Sequence, residues 1–201
     1  MSGKIITISR QFGSGGRSIG EMTAKKLGIK QYGREIIEQI AERSGFAEEY
    51  VSEQSESVKE GGLFGAFAAS DFYENANRIT IWTEQCRIIR EIADQGPCVI
   101  VGRCADYVLK QDYDLLRVYI YADMDYRADR IVRVYGESNV KPEKRLKEKD
   151  KRRAAYYEIY TDQKFGEPEN YDLCLNSGKL GLEECADIIV DVYQKMCSKK
   201  Q

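Results

Sequence analysis

The sequence contains no histidine, and this absence narrows the chemistry that the protein can use. It argues against a zinc site with histidine ligands and against a histidine general base. The six cysteines form no C-x-x-C pair, so we expect buried free thiols in a reducing cytosol rather than a metal site. Acid–base chemistry at neutral pH would fall to carboxylates, lysine or tyrosine. A reaction that depends on positioning and on cations fits this composition better.

Strong net charge and long apolar runs are also missing. The chain has 31 Lys and Arg residues against 33 Asp and Glu residues, a formal net charge of −2, which predicts no nucleic-acid partner. No apolar run approaches the length of a membrane span and no signal-peptide pattern is present, so we expect a cytoplasmic protein with no membrane partner. A chain of 201 residues fits one domain and can bury a core.

Short apolar runs alternate with helical spacing along the chain, and this alternation predicts an α/β fold with a parallel sheet. We predict strands at residues 5–8, 29–32, 98–101, 115–120 and 171–175. We predict helices at residues 18–27, 36–44, 47–53, 72–94, 105–109 and 125–134, and from about 181 onward. The very charged residues 141–160 predict a helical hairpin or a lid. Ligands of such sheets bind where the carboxyl ends of the strands meet.

A glycine-rich turn, Gly13-Ser14-Gly15-Gly16, follows the first predicted strand and precedes a helix. Glycines let backbone N–H groups point into one concavity, and the helix N-terminus adds its positive dipole end. Arg17 supplies a cation, and the Ser18 hydroxyl is a candidate Mg²⁺ ligand. The turn departs from G-x-x-x-x-G-K-S/T, because Gln11 and Arg17 replace its first glycine and its lysine. The alternative is an ordinary glycine-rich turn, but its place after the first strand favours a phosphate loop.

Further arginines are placed to share that site. Arg103 follows a buried strand and is a candidate bidentate phosphate donor, although an ion pair with Asp106 is the plainer interpretation. Arg152 and Arg153 lie in the charged segment, where a solvated helix face is the usual meaning of such a run. They point in different directions on a helix, so we expect only one to enter the site. Arg130 is a nucleotide-contact candidate, with a surface ion pair as the alternative.

Composition changes in the middle of the chain. Residues 52–60 are polar, and residues 61–69, GGLFGAFAA, are small and apolar. A mobile surface loop, a flap over a ligand and a contact in a homo-oligomer are all compatible with this segment, and the sequence does not separate them.

Five segments in order resemble the cytidylate kinase-like branch of the nucleoside-monophosphate kinases: ISRQFGSGGRSIG, YGREIIEQIAERSG, VIVGRCADYVL, KDKRRAAYYEIYT and NYDLCLNS. The resemblance covers nearly the whole chain. It implies one P-loop kinase-like domain over residues 1–201, a three-layer α/β/α sandwich with an acceptor-binding region at about 33–75 and a lid at about 136–165. It also implies transfer of the γ-phosphoryl group of ATP, with Mg²⁺, to an acceptor such as CMP or dCMP.

The same resemblance implies roles for individual residues. The implied ATP contacts are Gly13, Ser14, Gly15, Gly16, Arg17, Ser18 and Arg130, with Ser18 also on the metal. The implied contact with the acceptor phosphate is Arg103, and we predict from the residues themselves that Arg34 and Asp106 also contact the acceptor. The implied catalytic cations are Arg17, Arg103 and the lid residues Arg152 and Arg153.

Departures from the family pattern leave the acceptor open. Gly33 stands where the acceptor-reading pattern D-S-G has its Asp, and Cys104 replaces the Asp of G-R-D. The lid segment lacks the R-D-x-x-D-x-x-R spacing. Another nucleotide or a small phosphorylated acceptor is therefore an alternative to CMP. A non-catalytic nucleotide sensor or assembly module that keeps the fold is an alternative to the kinase, and a plain structural α/β protein is a third hypothesis.

Overall fold

A computed structural model of the protein describes residues 4–54, 69–136, 138 and 140–198. In this part of the chain, one all-parallel sheet has the strand order β2-β3-β1-β4-β5. Its strands are β1 (Ile5–Arg10), β2 (Lys30–Tyr32), β3 (Cys98–Val101), β4 (Leu115–Tyr121) and β5 (Leu173–Asn176). The predicted parallel sheet is therefore confirmed.

Helices connect and cover these strands. They are α1 (Gly16–Leu27), α2 (Arg34–Ser44), α3 (Glu48–Gln54), α4 (Ala69–Asp94), α5 (Ala105–Val108), α6 (Met124–Tyr135), α7 (Pro142–Thr161), α8 (Ser177–Leu180) and α9 (Leu182–Ser198), with a short 3₁₀ turn at Pro168–Asn170. In the described part of the chain, none of them is both long and apolar enough to cross a membrane.

The central strands are buried on both faces, which explains their unbroken apolar sequences. Ile6 of β1 pairs with Val99 of β3 on one side and with Leu116 of β4 on the other. Alternate residues then face opposite cores, since successive side chains of a strand point to opposite faces. Ile5 joins a core with α2 and α4, and Ile6 joins a core with α1 and α9. The result is the predicted three-layer α/β/α sandwich.

Two features differ from the sequence-based expectations. β1 continues to Arg10, two residues beyond the predicted end of the first strand, because Ser9 and Arg10 still pair with β4. The prediction of a helical hairpin at 141–160 is wrong in that α7 is one continuous helix. Pro142 occupies its first turn, where a missing N–H costs nothing, and no glycine or second proline interrupts it before Asp162 caps it in the left-handed region.

Helix α7 packs along α6 and reaches the carboxyl edge of the sheet. Leu146 is buried against Ile131 of α6, and Tyr156 and Tyr157 are buried near Cys104. The glycine- and phenylalanine-rich segment at 61–69 lies outside the described residues except for Ala69, where α4 begins.

Candidate active site

The loop between β1 and α1 forms a concavity bounded by glycines. Gly13 and Gly15 have φ values of 81° and 83°, which side chains rarely adopt. Space also requires glycine, because a Cβ on Gly13 would come within 2.9 Å of Ile131, and one on Gly15 would overlap Leu182. The loop is thus built from glycines for both conformational and steric reasons.

Ser14 holds this loop against the sheet rather than facing the concavity. Its hydroxyl is fully buried and donates to the carbonyl oxygens of Gln11 at 2.9 Å and Ile120 at 3.2 Å. The Ser177 hydroxyl donates in turn to the Ser14 carbonyl at 2.6 Å. Gln11, at the position of the first glycine of the standard pattern, accepts the Ala122 N–H with its side chain at 3.2 Å. These bonds fix the loop to the end of β4.

The N-terminus of α1 opens onto the concavity. In the first backbone hydrogen bond of the helix, the Ile19 N–H donates to the Gly15 carbonyl at 3.0 Å. Gly15, the N-cap residue, has no side chain that could cap the helix. The amides of Gly16, Arg17 and Ser18 precede that bond and have no intrahelical acceptor. Free amides of this kind and the positive end of a helix dipole are the groups with which helix N-termini bind anions.

A second turn follows β3 and carries Arg103. Gly102, Arg103 and Cys104 lie consecutively in the left-handed region, with φ values of 80°, 61° and 52°. Two of the three carry side chains, so contacts from elsewhere must hold this conformation. The Gln85 side-chain amide, which is fully buried, donates to the Arg103 carbonyl at 3.0 Å, and Tyr156 OH donates to Gln85 Oε1 at 3.3 Å.

Arg10 and Arg17, which flank the first turn, and Arg103 of the second turn border a cavity of about 500 Å³. Arginines of β1, α1, α2 and the turn after β3 line this cavity together with carboxylates of α2 and α3. The lining arginines are Arg10, Arg17, Arg34 and Arg103. The lining carboxylates are Glu35, Glu48, Glu49 and Glu53. Arginines predicted from distant parts of the sequence therefore share one cavity.

A smaller cavity of about 40 Å³ adjoins the end of β1 and the second turn. Arg10 and Arg103 line it together with Arg153 of α7, whose Nη1 donates to the Arg10 carbonyl at 3.3 Å. Buried aromatic rings, including Tyr156 and Tyr157, form its remaining wall. This cavity is the size of a small anion and is surrounded by guanidinium groups in a partly dry environment, where their charge acts strongly.

The remaining predicted site residues fall into different positions. Arg153 faces the small cavity while its neighbour Arg152 is exposed, as expected for adjacent residues of a helix. Arg130 donates to the Ser18 hydroxyl at 3.2 Å beside the phosphate loop. Arg17 and Arg34 are exposed and form ion pairs with Glu21 and Glu38. Ion pairs at such exposed positions are weak.

Asp106 departs from its predicted role. It lies outside the linings of both cavities and is 4% exposed, with Oδ2 accepting from Tyr157 OH at 2.7 Å. Burial raises the pKa of this carboxyl, and burial with the nearby Asp106 charge raises the pKa of Tyr157 far above its usual range. An acceptor contact for Asp106 stays a prediction that this arrangement does not support.

Sequence reasoning missed two residues of the site. Arg10 lines both cavities, and the predicted strand ended before it. The signal was available in principle, because Arg10 directly precedes the loop that begins at Gln11. Gln85 sits in the middle of the long helix α4, and nothing local in the sequence marks it as a partner of Arg103.

The arginines and backbone amides of the site suit a polyphosphate. They suit Mg²⁺ only if the ion binds together with that polyphosphate. The described residues contain no group of three or more His, Cys, Asp or Glu side chains suited to a metal. The Ser18 hydroxyl is the predicted ligand, and in this structure it accepts a hydrogen bond from Arg130. Mg²⁺ commonly keeps several waters and takes its other ligands from substrate phosphates, so one hydroxyl is sufficient for such an ion.

The model of the cytidylate kinase-like family matches residues 5–179. The chain belongs to this family. Its curated relatives include the cytidylate kinases of Archaeoglobus fulgidus, 29% identical over 94% of each chain, and of Methanopyrus kandleri, 26% identical over 92% of this chain and 90% of the relative. Family membership supports a phosphoryl transfer of the nucleotide-kinase type.

Solved structures agree with the fold of this cytidylate kinase-like protein. An uncharacterized protein from Eubacterium ventriosum has a TM-score of 0.71 at 25% identity, covering 95% of this chain and 98% of its own. Shikimate kinase from Acinetobacter baumannii has a TM-score of 0.54 at 15% identity, covering 96% of this chain and 94% of its own. The second similarity concerns the fold alone.

Proposed function

We propose that the protein transfers the γ-phosphoryl group of ATP to a nucleoside monophosphate, with CMP or dCMP as the first acceptor to test and another small phosphorylated acceptor as the alternative. One observation carries the proposal. Arg17 of the phosphate loop and Arg103 of the β3 turn line the same cavity, although 86 positions separate them in the sequence. A polyphosphate on the loop and a phosphorylated acceptor near Arg103 would therefore meet.

The donor would bind at the glycine loop. The amides of Gly13 to Gly16 and the Arg17 side chain would hold the β- and γ-phosphates, and Arg130 beside the loop would contact the nucleotide. Mg²⁺, when bound with ATP, would supply charge neutralisation between the β- and γ-phosphates. The Ser18 hydroxyl would be its protein ligand, since its oxygen has a second lone pair besides the one that accepts the hydrogen bond from Arg130.

The acceptor would bind on the other side of the cavity. Arg103 and Arg34 would hold its phosphate, and Arg153 would neutralise the group in transfer. An acceptor phosphate is already anionic, so its oxygen attacks without a general base, and the leaving ADP oxygen keeps the bonding electrons. This requirement for positioning and charge rather than proton transfer agrees with a chain that has no histidine.

The decisive experiment measures ADP release with a panel of monophosphates. Arg17→Ala and Arg103→Ala should each lose about 10²- to 10³-fold in turnover, by analogy with other preorganised donors. Arg43→Ala is the matched control, because Arg43 pairs with Glu91 away from both cavities. Wild-type rates in both site variants would refute the assignment.

A non-catalytic nucleotide sensor is the second candidate. It is favoured by two departures from the family pattern, Arg17 in place of the loop lysine and Cys104 in place of the Asp of G-R-D. Calorimetric titration with ATP and with CMP, run beside the ADP-release assay, separates the two functions. Binding without turnover across the whole panel would establish the sensor, and turnover with any monophosphate would exclude it.

A further inference from the structure

Arg10 spans the gap between the two turns that border the site. Its Cβ lies against the phosphate loop, because a Cβ on Gly16 would come within 2.7 Å of it. Its guanidinium lies over the second turn, because a Cβ on Gly102 would overlap Nη1. The side chain therefore runs from the start of α1 to the turn after β3, across the path between the donor and acceptor sides.

Arg10 also borders both cavities. It shares the larger one with Arg17 and Arg34, and the smaller one with Arg153. Among the described residues, Arg103 is the other side chain that lines both. Of the cations on the donor side, Arg17 has a side chain that is 68% exposed, whereas Arg10 is half-buried. A guanidinium in the less hydrated position interacts more strongly with an anion.

We propose that Arg10 is a catalytic residue that contacts the donor and the acceptor phosphate groups at the same time. The inference rests on the proposed function and adds a residue to it. The planar guanidinium carries five donors and bridges two oxyanions with a fixed geometry. As the acceptor oxygen bonds to the γ-phosphorus and the bond to the ADP oxygen breaks, charge spreads over the equatorial oxygens, and a cation between the two groups stabilises it.

The main chain of Arg10 has structural contacts of its own, apart from those of its side chain. Its backbone pairs with β4, and its carbonyl accepts the hydrogen bond from Arg153. A substitution of the side chain keeps both contacts. Loss of ligand affinity in a variant that stays folded therefore reports on the guanidinium.

The test measures the affinities of ATP and of CMP separately by calorimetry for the full chain and four variants. Arg10→Met should weaken both ligands by about tenfold or more, as expected for a lost charge-assisted contact. Arg17→Met should weaken ATP alone, and Arg34→Met should weaken CMP alone. Arg43→Met is the control and should change neither. Turnover of Arg10→Met should fall by about 10²- to 10³-fold, and Arg10→Lys should not restore it, because a point charge does not bridge.

Loss of affinity for one ligand only, or for neither, would overturn the inference while leaving the proposed function intact if the wild type still releases ADP. The wild-type measurements test the proposed function by themselves. If the wild type binds both ligands but transfers nothing, the kinase assignment and the catalytic role of Arg10 both fail. Weaker binding of both ATP and CMP by Arg10→Met would then show that Arg10 is a shared binding residue of a sensor. A wild type that does not bind CMP would overturn the shared contact with that acceptor.

Discussion

The turns after β1 and β3 lie beside the same cavity, and their backbone conformations are stabilised in different ways. The first places glycine at its left-handed positions, Gly13 and Gly15, and is tied to the adjacent strand end by the Ser14 hydroxyl. The second places Arg103 and Cys104 in the same region of backbone space, where each side chain costs about 1–2 kcal/mol. One turn is specified by its own residues, and the other is held by residues far away in the sequence.

The comparison shows how a strained arginine is kept in place. Gln85 of α4 binds the Arg103 carbonyl, Tyr156 of α7 binds Gln85, and the Gly102 N–H donates to the Ile8 carbonyl at 2.9 Å. Three parts of the fold thus converge on one turn. Helix α7, for which the sequence predicts a charged lid, therefore supports the turn after β3 through the buried Tyr156.

The largest effect is expected from Gly102→Ala. The new methyl group would displace the Arg10 guanidinium, and the φ of 80° adds backbone strain. We expect about a 10²-fold loss in kcat/KM and about 1–2 kcal/mol of lost stability.

The matched control for that change is Gly28→Ala, at a φ of 65° with nothing within 4 Å of the new Cβ. It should lose similar stability in urea unfolding and keep wild-type kcat/KM. Equal activity losses in the two variants would show that strain, rather than contact with Arg10, causes the defect.

A smaller effect is expected from Gln85→Leu. It leaves the Arg103 carbonyl and the Tyr156 hydroxyl without their buried partner, which costs about 1–3 kcal/mol. Because the turn carries Arg103, the KM for the acceptor should rise more than the KM for ATP.

Steady-state kinetics with each substrate varied in turn measures this difference. Tyr156→Phe removes only the hydrogen bond from Tyr156 to Gln85. The KM for the acceptor should again rise more than the KM for ATP, but by a smaller factor. If the two KM values rise by equal factors, Gln85 contributes to the fold without positioning the acceptor side.

On the first turn, Ser14→Ala should cost about 1 kcal/mol, the typical value of one net hydrogen bond. Here the glycines already specify the backbone, so the KM for ATP should change little. Urea unfolding and ATP kinetics of the same sample test both parts. A large rise in the KM for ATP would mean that this loop, like the second turn, depends on its hydrogen bonds to keep its shape.

The smallest effect concerns Asp106 and pH. Burial raises its pKa above the ordinary value of 3.8, so the stability linked to its protonation is fully present below about pH 3.8 and declines as the pH rises through the raised pKa. Asp106→Asn lacks this decline. Its urea midpoint should therefore improve relative to the wild type as the pH rises from about 4 to about 7.

The exposed Asp112→Asn is the control for that measurement and should show no comparable trend. A midpoint difference between Asp106→Asn and the wild type that is constant over the same pH interval would contradict a buried carboxyl with a raised pKa.

Much of the architecture was predictable from the sequence. The parallel sheet, the phosphate loop after β1 and the family all followed from apolar runs, from Gly13 to Gly16 and from the order of the motifs. The domain limits, the cytoplasmic location, the absence of nucleic-acid and membrane partners, self-association and the roles of the individual site residues stay predictions.

What the sequence determined by itself is local: glycine where backbone must turn left-handed, and β-branched runs where strands are buried on both faces. Only the tertiary structure decided that Arg10 crosses between the two turns, that Gln85 and Tyr156 hold Arg103, that Arg153 rather than Arg152 faces the site, and that Asp106 is buried. The reason is physical. These outcomes depend on contacts between residues that are 18 to 143 positions apart, and such contacts follow from packing rather than from any local preference.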